Sequence, residues 1–241
     1  MAASMFTHFQ TAMAEDDILT LPGRADELYR RRTEPEAVKE SVTALASFGG
    51  GNKRYEVQWR LARALFFMGQ EADSADAKRL LHRTAMVAGN RAVALNPERV
   101  EGRFWLGVNL ALFAEIAGGL RAALALLRAR RELQRAAAIS ENYHGAGPLR
   151  VLGRLHHKSP RILGGSRKQS RRYFDRALEI APKNSVTLLY ASELAIDCGE
   201  RDRAERMLEK IIESPLDQEW EFENRRDRRL ARELLERLQN E

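Results

Sequence analysis

Residues 170–182 read SRRYFDRALEIAP. Ser170, Phe174 and Ala177 stand four and three residues apart, which sets them on one face of a helix, and Pro182 follows where that helix has to end. The same template returns upstream, where Ala85, Gly89 and Ala92 keep those intervals and Pro97 closes the segment. Small side chains on the shared face let a partner helix cross closely, and a proline cannot continue the helix it follows. Two copies with the same punctuation predict a chain built from repeated helix pairs.

Working outward, the seven prolines fall between segments of helical apolar spacing, and Ala, Leu, Arg and Glu dominate those segments. Alternating runs of Val, Ile and Thr are missing, so the reading is all-α. Helices are expected at about 24–31, 34–47, 53–68, 74–95, 99–117, 120–139, 142–157, 167–180, 185–197, 202–213 and 219–239. Thr33 with Glu36 and Ser166 with Gln169 have capping-box spacing, and Asn52 is a candidate cap for a helix whose Tyr55, Trp59, Ala62 and Phe66 should face the core. Phe104 to Leu127 carries Asn109, Glu115 and Arg121, so it reads as a buried hairpin turning at Gly118 and Gly119 rather than a membrane span. Glu115 in that stretch is expected to form an ion pair with an arginine such as Arg103.

The 34-residue tetratricopeptide (TPR) repeat fits this spacing. Placing Pro97 or Pro182 at position 32 puts Leu106-Gly107 and Ala191-Ser192 at positions 7 and 8, where a small residue lets the partner helix approach. Leu152-Gly153 is a further copy. From Gly107 to Gly153 is 46 residues and from Gly153 to Ser192 is 39, so the central helices are lengthened. The expected fold is a TPR-like right-handed α-solenoid of antiparallel helix pairs. Its organisation is an N-terminal arm and short helix over 1–33, a repeat domain over 34–215 and a capping helix over 216–241.

Tyr143 to Pro148, Leu152-Gly153-Arg154-Leu155, and the passage from Pro160 through Gly165 into Ser170 to Leu178 resemble the T component of tripartite TRAP transporters. Trp59-Arg60-Leu61-Ala62-Arg63-Ala64 is more weakly similar to the regulator of microtubule dynamics family. The first resemblance implies a helical-repeat protein that associates with an extracytoplasmic substrate-binding subunit and encloses an apolar ligand channel. The start from Met1 to Gln10 has no signal-like pattern, which reads as cytoplasmic for the chain as written and periplasmic if a signal peptide precedes it.

The first helix of each pair lines the concave face of such a stack. Groove positions of the repeat select Phe104 and Val108, then Arg150, Arg154 and His157, then Leu189 and Glu193, while Tyr143 and His144 cluster near Gly145 and Gly147. The expected groove is apolar on one side and basic in its middle. From Arg121 to Arg176 there are 14 Lys or Arg against 3 acids, a local +11 within a chain whose net charge is +6. Ser166, Arg167 and Lys168 open a helix and form a candidate anion site. The spacing of a P-loop is absent there, and His156-His157 point about 100° apart, unsuited to sharing a metal.

One cysteine, Cys198, excludes a disulfide framework and a cysteine-ligated zinc, and the reading gives it a structural role. No catalytic residues, metal or cofactor are expected. Aromatic residues do not interleave with the basic ones, which disfavours nucleic acid. The leading expectation is a non-enzymatic scaffold that binds a protein partner or a small apolar or anionic ligand in its groove. The alternative is a TRAP-associated, solute-handling accessory that forms a homo-oligomer through the 104–127 hairpin.

Overall fold

The computed structural model describes residues 20–240, and the arm expected over the first residues lies outside them. Among the described residues there are eleven α-helices and no strand. They gather into two compact units, one ending at Pro97 and one beginning at Glu98.

The N-terminal unit holds α1 (residues 20–30), α2 (Pro35–Ser47), α3 (Tyr55–Glu71) and α4 (Ala75–Leu95). Thr33 does not cap α2. That helix starts at Pro35 behind Glu34, because proline at the first helical position has the right φ and no N–H to satisfy. Asn52 is not a cap either: Gly51–Lys53 form a 3₁₀ turn, α3 begins after Arg54, and Asn52 Oδ1 accepts from Arg91 Nη1 at 2.7 Å. Of the face expected to be core, Trp59 and Ala62 are buried while Tyr55 and Phe66 are half-buried. Val57, Leu61 and Leu65 are buried too, since α2 and α4 cover α3 from two directions. Asp26 of α1 ties the layers together, taking Arg60 through two bonds at 3.0 and 2.8 Å and Arg63 at 2.6 Å. Burial alone would raise the Asp26 carboxyl, but the bonds from Arg60 and the charge of Arg63 outweigh it and hold it below its usual value.

The C-terminal unit contains α5 (Val100–Ile116), α6 (Gly119–Ile139), α7 (Tyr143–Lys158), α8 (Arg167–Ile180), α9 (Ser185–Asp197), α10 (Arg201–Glu213) and α11 (Glu221–Asn240). They pack as the pairs α5/α6, α7/α8 and α9/α10, with α11 against α9 and α10, an all-α TPR-like arrangement. Gly107, Gly153 and Ser192 mark the crossings. A Cβ on Gly107 would lie 2.7 Å from Leu133 Cγ, and one on Gly153 would lie 2.6 Å from the Phe174 ring. Ser170 Oγ seals the second crossing by donating to the Gly153 carbonyl at 2.8 Å. Ser166 caps α8 as its spacing predicts, accepting from the Gln169 amide at 3.3 Å.

The 104–127 hairpin turns at Gly118 and Gly119, and although Ala125 and Leu126 of its α6 arm are buried, a leucine stripe on that arm is not. Leu120, Leu124 and Leu127 on α6 are 73%, 58% and 53% exposed, because α6 has α5 and α7 on one side and no helix over that stripe within the unit. Among the described residues no helix is long and apolar enough to cross a membrane. Cys198 caps the end of α9, where its amide donates to the carbonyls of Leu194 and Ala195. Ala231 and Leu238 of α11 join Leu208 and Ile211 of α10 in one core cluster.

Candidate functional site

Within the C-terminal unit the first helices of the pairs, α5, α7 and α9, lie side by side. Their neighbouring ends carry a strip of charges. Arg154 Nη1 of α7 meets Glu193 Oε2 of α9 at 2.5 Å, Lys158 Nζ reaches the same oxygen at 3.0 Å, and His157 Nε2 lies 2.7 Å from Asp197 Oδ2. The carboxylate of Asp197 has no hydrogen to give, so Nε2 is the protonated nitrogen and the buried Nδ1 is left without a partner among the described residues. Arg154 also lies over the Tyr190 ring, its Cζ 4.3 Å from the centroid.

Glu115 on α5 borders this strip. Its residue is exposed, yet crowding by surrounding protein raises its carboxyl, and only the charge of Arg154 opposes that rise. Burial would raise Glu193 as well, but Arg154 and Lys158 outweigh it and bring the carboxyl below its usual value. The expected Arg103–Glu115 pair does not form. Arg103 instead meets Glu132 of α6 at 2.9 Å, because it points to the side of α5 that faces its own partner helix.

The basic groove therefore needs correcting. Arg154 and Lys158 are met by Glu193, and His157 by Asp197, so the cations of the strip are paired rather than free. Phe104, Val108 and Leu189, expected to line its apolar side, are buried in the core at 2%, 6% and 3% exposure and offer no open surface. Their helices are covered on more than one side, so the repeat positions that face a groove in a slimmer stack face neighbouring helices here.

Tyr143, His144 and Arg150 are brought together elsewhere, at the start of α7. His144, Gly145 and Ala146 are left-handed, with φ of 53°, 60° and 60°. This bend tucks His144 between Phe104, Trp105 and Trp220, its ring centroid 4.6 Å from that of Trp220, while Trp105 Nε1 donates to Tyr143 Oη at 3.1 Å. Gly147 follows because a Cβ there would lie 2.8 Å from the Phe104 ring. Arg150 is 5% exposed, donates to the Gly145 carbonyl at 2.8 Å and to Asn184 Oδ1 at 3.3 Å, and has burial pushing its pKa down to about 10. It stays charged at neutral pH and braces the bend rather than facing a ligand.

At the candidate anion site, Ser166 Oγ is already an acceptor for Gln169 and its amide donates to the His156 carbonyl at 2.8 Å. Arg167 and Lys168 are exposed on α8 beside it. The preceding loop is fixed by Gly165, where a Cβ would collide with the Ser159 carbonyl at 1.8 Å, and by Arg130, which donates to the Leu163 carbonyl. Among the described residues no group of three or more His, Cys, Asp or Glu could hold a metal ion.

Lys158, Tyr190 and Asp197 escaped the sequence reading, and so did Trp220 as a partner of His144. A signal for part of this existed. Arg154 and Glu193 are 39 residues apart and His157 and Asp197 are 40 apart, essentially the step from Gly153 to Ser192.

The family described as TRAP transporter T-component matches residues 52–240 of the chain. Among solved structures, the chain is similar to a thermophilic TPR protein of Thermus thermophilus, with a TM-score of 0.61 at 18% identity, covering 84% of this chain and 98% of that one. At that identity the likeness is one of fold. A comparison with curated proteins finds no match.

Proposed function

Since the chain belongs to the TRAP transporter T-component family, we propose that it acts without catalysis, as a helical scaffold that docks the substrate-binding subunit of such a transporter on the face shared by α5, α7 and α9. The observation that carries this reading is the charged strip from Glu115 through Arg154, Glu193 and Lys158 to Asp197. Partly exposed ion pairs are each worth about 0–1 kcal/mol in place, so exchanging one for a pair with a partner costs little. A fixed sequence of opposite charges then sets the register and rejects wrong partners. The pairing within the strip favours a protein face bearing its own alternating charges over a small anion at that position. Docking of this kind puts the chain on the same side of the membrane as the binding subunit.

The test is isothermal titration of the purified chain with the binding subunits encoded in its own genome, using wild type and R154E/K158E. Lys158 is 44% exposed and Arg154 26%, so the double variant should fold. Association with one subunit, weakened by about tenfold or more in the variant, is expected, corresponding to at least about 1.4 kcal/mol. Association with none of them, or equal association by the variant, would refute the assignment.

A further inference from the structure

A recess of about 510 Å³ lies at the opposite end of the last helix pairs, between the α8–α9 turn and the loop that joins α10 to α11. That volume is within the range of small-molecule sites. Its apolar lining comes from Ile211, Pro182, Pro215, Leu216 and the Trp220 ring. The polar groups facing it are mostly donors. Asn184 Oδ1 is spent on the Thr187 amide at 3.0 Å, the Thr187 hydroxyl at 3.0 Å and Arg150, which leaves its amide nitrogen with two hydrogens and no acceptor among the described residues. The Trp220 indole N–H likewise has no acceptor among them. Lys183 and Arg228 line the recess, and neither has a carboxylate within ion-pair distance among the described residues. Arg228 is steered there by one bond to the Ser214 carbonyl, which keeps its other N–H groups available.

The acceptors are fewer. Asn224 gives one N–H to Ser185 Oγ at 2.9 Å, and its Oδ1 is engaged by the Asp217 amide at 2.9 Å. Asp217 supplies a carboxylate at the exposed rim, with one oxygen accepting from the Glu219 amide at 2.9 Å. The walls are held from beneath by Ser185, whose hydroxyl donates to the fully buried Asp227 at 2.7 Å. A preformed hollow with an apolar floor, two cations without carboxylate partners and two unspent neutral donors is complementary to one class of molecule. We propose that this recess binds a small organic carboxylate with an apolar body, the carboxylate against Lys183, Asn184 and Arg228 and the body against Trp220, Leu216 and Ile211. A carboxylate takes paired hydrogen bonds from guanidinium and amide donors, whereas an ammonium would find two cations and a single rim acid.

The experiment is a titration of the full chain with octanoate, followed by calorimetry and by the fluorescence of Trp220, with octanol and octylamine as controls of equal apolar length. W220F identifies which part of the signal comes from this indole. Saturable octanoate binding is expected, about tenfold or more tighter than either control, and weakened about tenfold in K183E. Lys183 is exposed and makes no ion pair among the described residues, so K183E should keep its circular dichroism and melting temperature; L216D, on the exposed rim, gives a second variant that removes apolar contact instead. No saturation at millimolar octanoate, equal binding of octanol, or unchanged affinity in both variants would overturn the proposal. A peptide with a free C-terminal carboxylate that bound far better than octanoate would overturn the small-molecule assignment. No binding subunit enters this titration, so its outcome is separate from that of the docking test.

Discussion

Gly153 offers the sharpest test of the helix crossing that defines the C-terminal unit. Replacing it with alanine would place a methyl carbon 2.6 and 2.7 Å from two atoms of the Phe174 ring, and that ring is only 1% exposed, with core on its other sides. Overpacking a well-filled core costs about 1–3 kcal/mol, and a flat ring held by its neighbours belongs near the upper end. Alanine also gains about 1 kcal/mol over glycine inside a helix. The difference is a destabilisation of about 2 kcal/mol, which lowers the melting temperature by about 4–8 °C for a chain of this size. Thermal and urea unfolding followed by the helical circular dichroism signal would measure it. A further arm isolates the cause: trimming the ring with F174L should relieve the clash, so G153A/F174L should be less destabilised than the sum of the single variants by about 1 kcal/mol or more. If G153A melts at or above the wild-type temperature, the crossing is not closed by the glycine and the account of the repeat fails at its centre.

Two further outcomes follow from buried charge. D26N should destabilise the N-terminal unit by about 2 kcal/mol, a value discounted from the roughly 3–5 kcal/mol typical of a fully buried pair because Asp26 is 29% exposed. Since the native carboxyl lies below its ordinary 3.8, the wild-type contribution is full above that pH and lost as pH falls through the native value, and D26N should flatten that dependence in acid titrations of stability. His156 and His157 should both be neutral at pH 7: burial lowers each imidazole, reinforced at His156 by Arg130 and partly opposed at His157 by Asp197. The unfolded chain takes up these protons near 6.5 and the native chain only at lower pH, so stability should fall as pH drops below 6.5; nitrogen-detected NMR showing either ring protonated at pH 7 would contradict this.

The fold was legible because packing volume leaves a mark on local sequence. Ala85, Gly89 and Ala92, then Ser170, Phe174 and Ala177, are all buried, and each set could be found from spacing alone. The site was harder to read because its meaning lies in pairs. Arg154 looks like a free cation until Glu193, a full repeat step away, is placed beside it. Arg150 looks the same, yet its surroundings are carbonyl oxygens and the Trp220 ring, contributed by a left-handed bend and by a loop whose sequence announces neither. Counting repeat positions found the correct helices but not how many sides of each are covered, which is why Phe104, Val108 and Leu189 were expected on a surface.

The bonds that join each element of the C-terminal unit to the next, or to the next but one, also bear on how the chain acquires its structure. Arg103 to Glu132, Arg154 to Glu193, Ser170 to Gly153 and Ser185 to Asp227 span 29, 39, 17 and 42 residues. Contacts this near in sequence close small loops and favour fast folding. During synthesis each helix pair can meet its neighbour once about 40 further residues have emerged, so unburied core is exposed only briefly and a long-range topological search is avoided. Arg150 is the exception to that stepwise order, because the Trp220 ring beside its guanidinium follows 70 residues later.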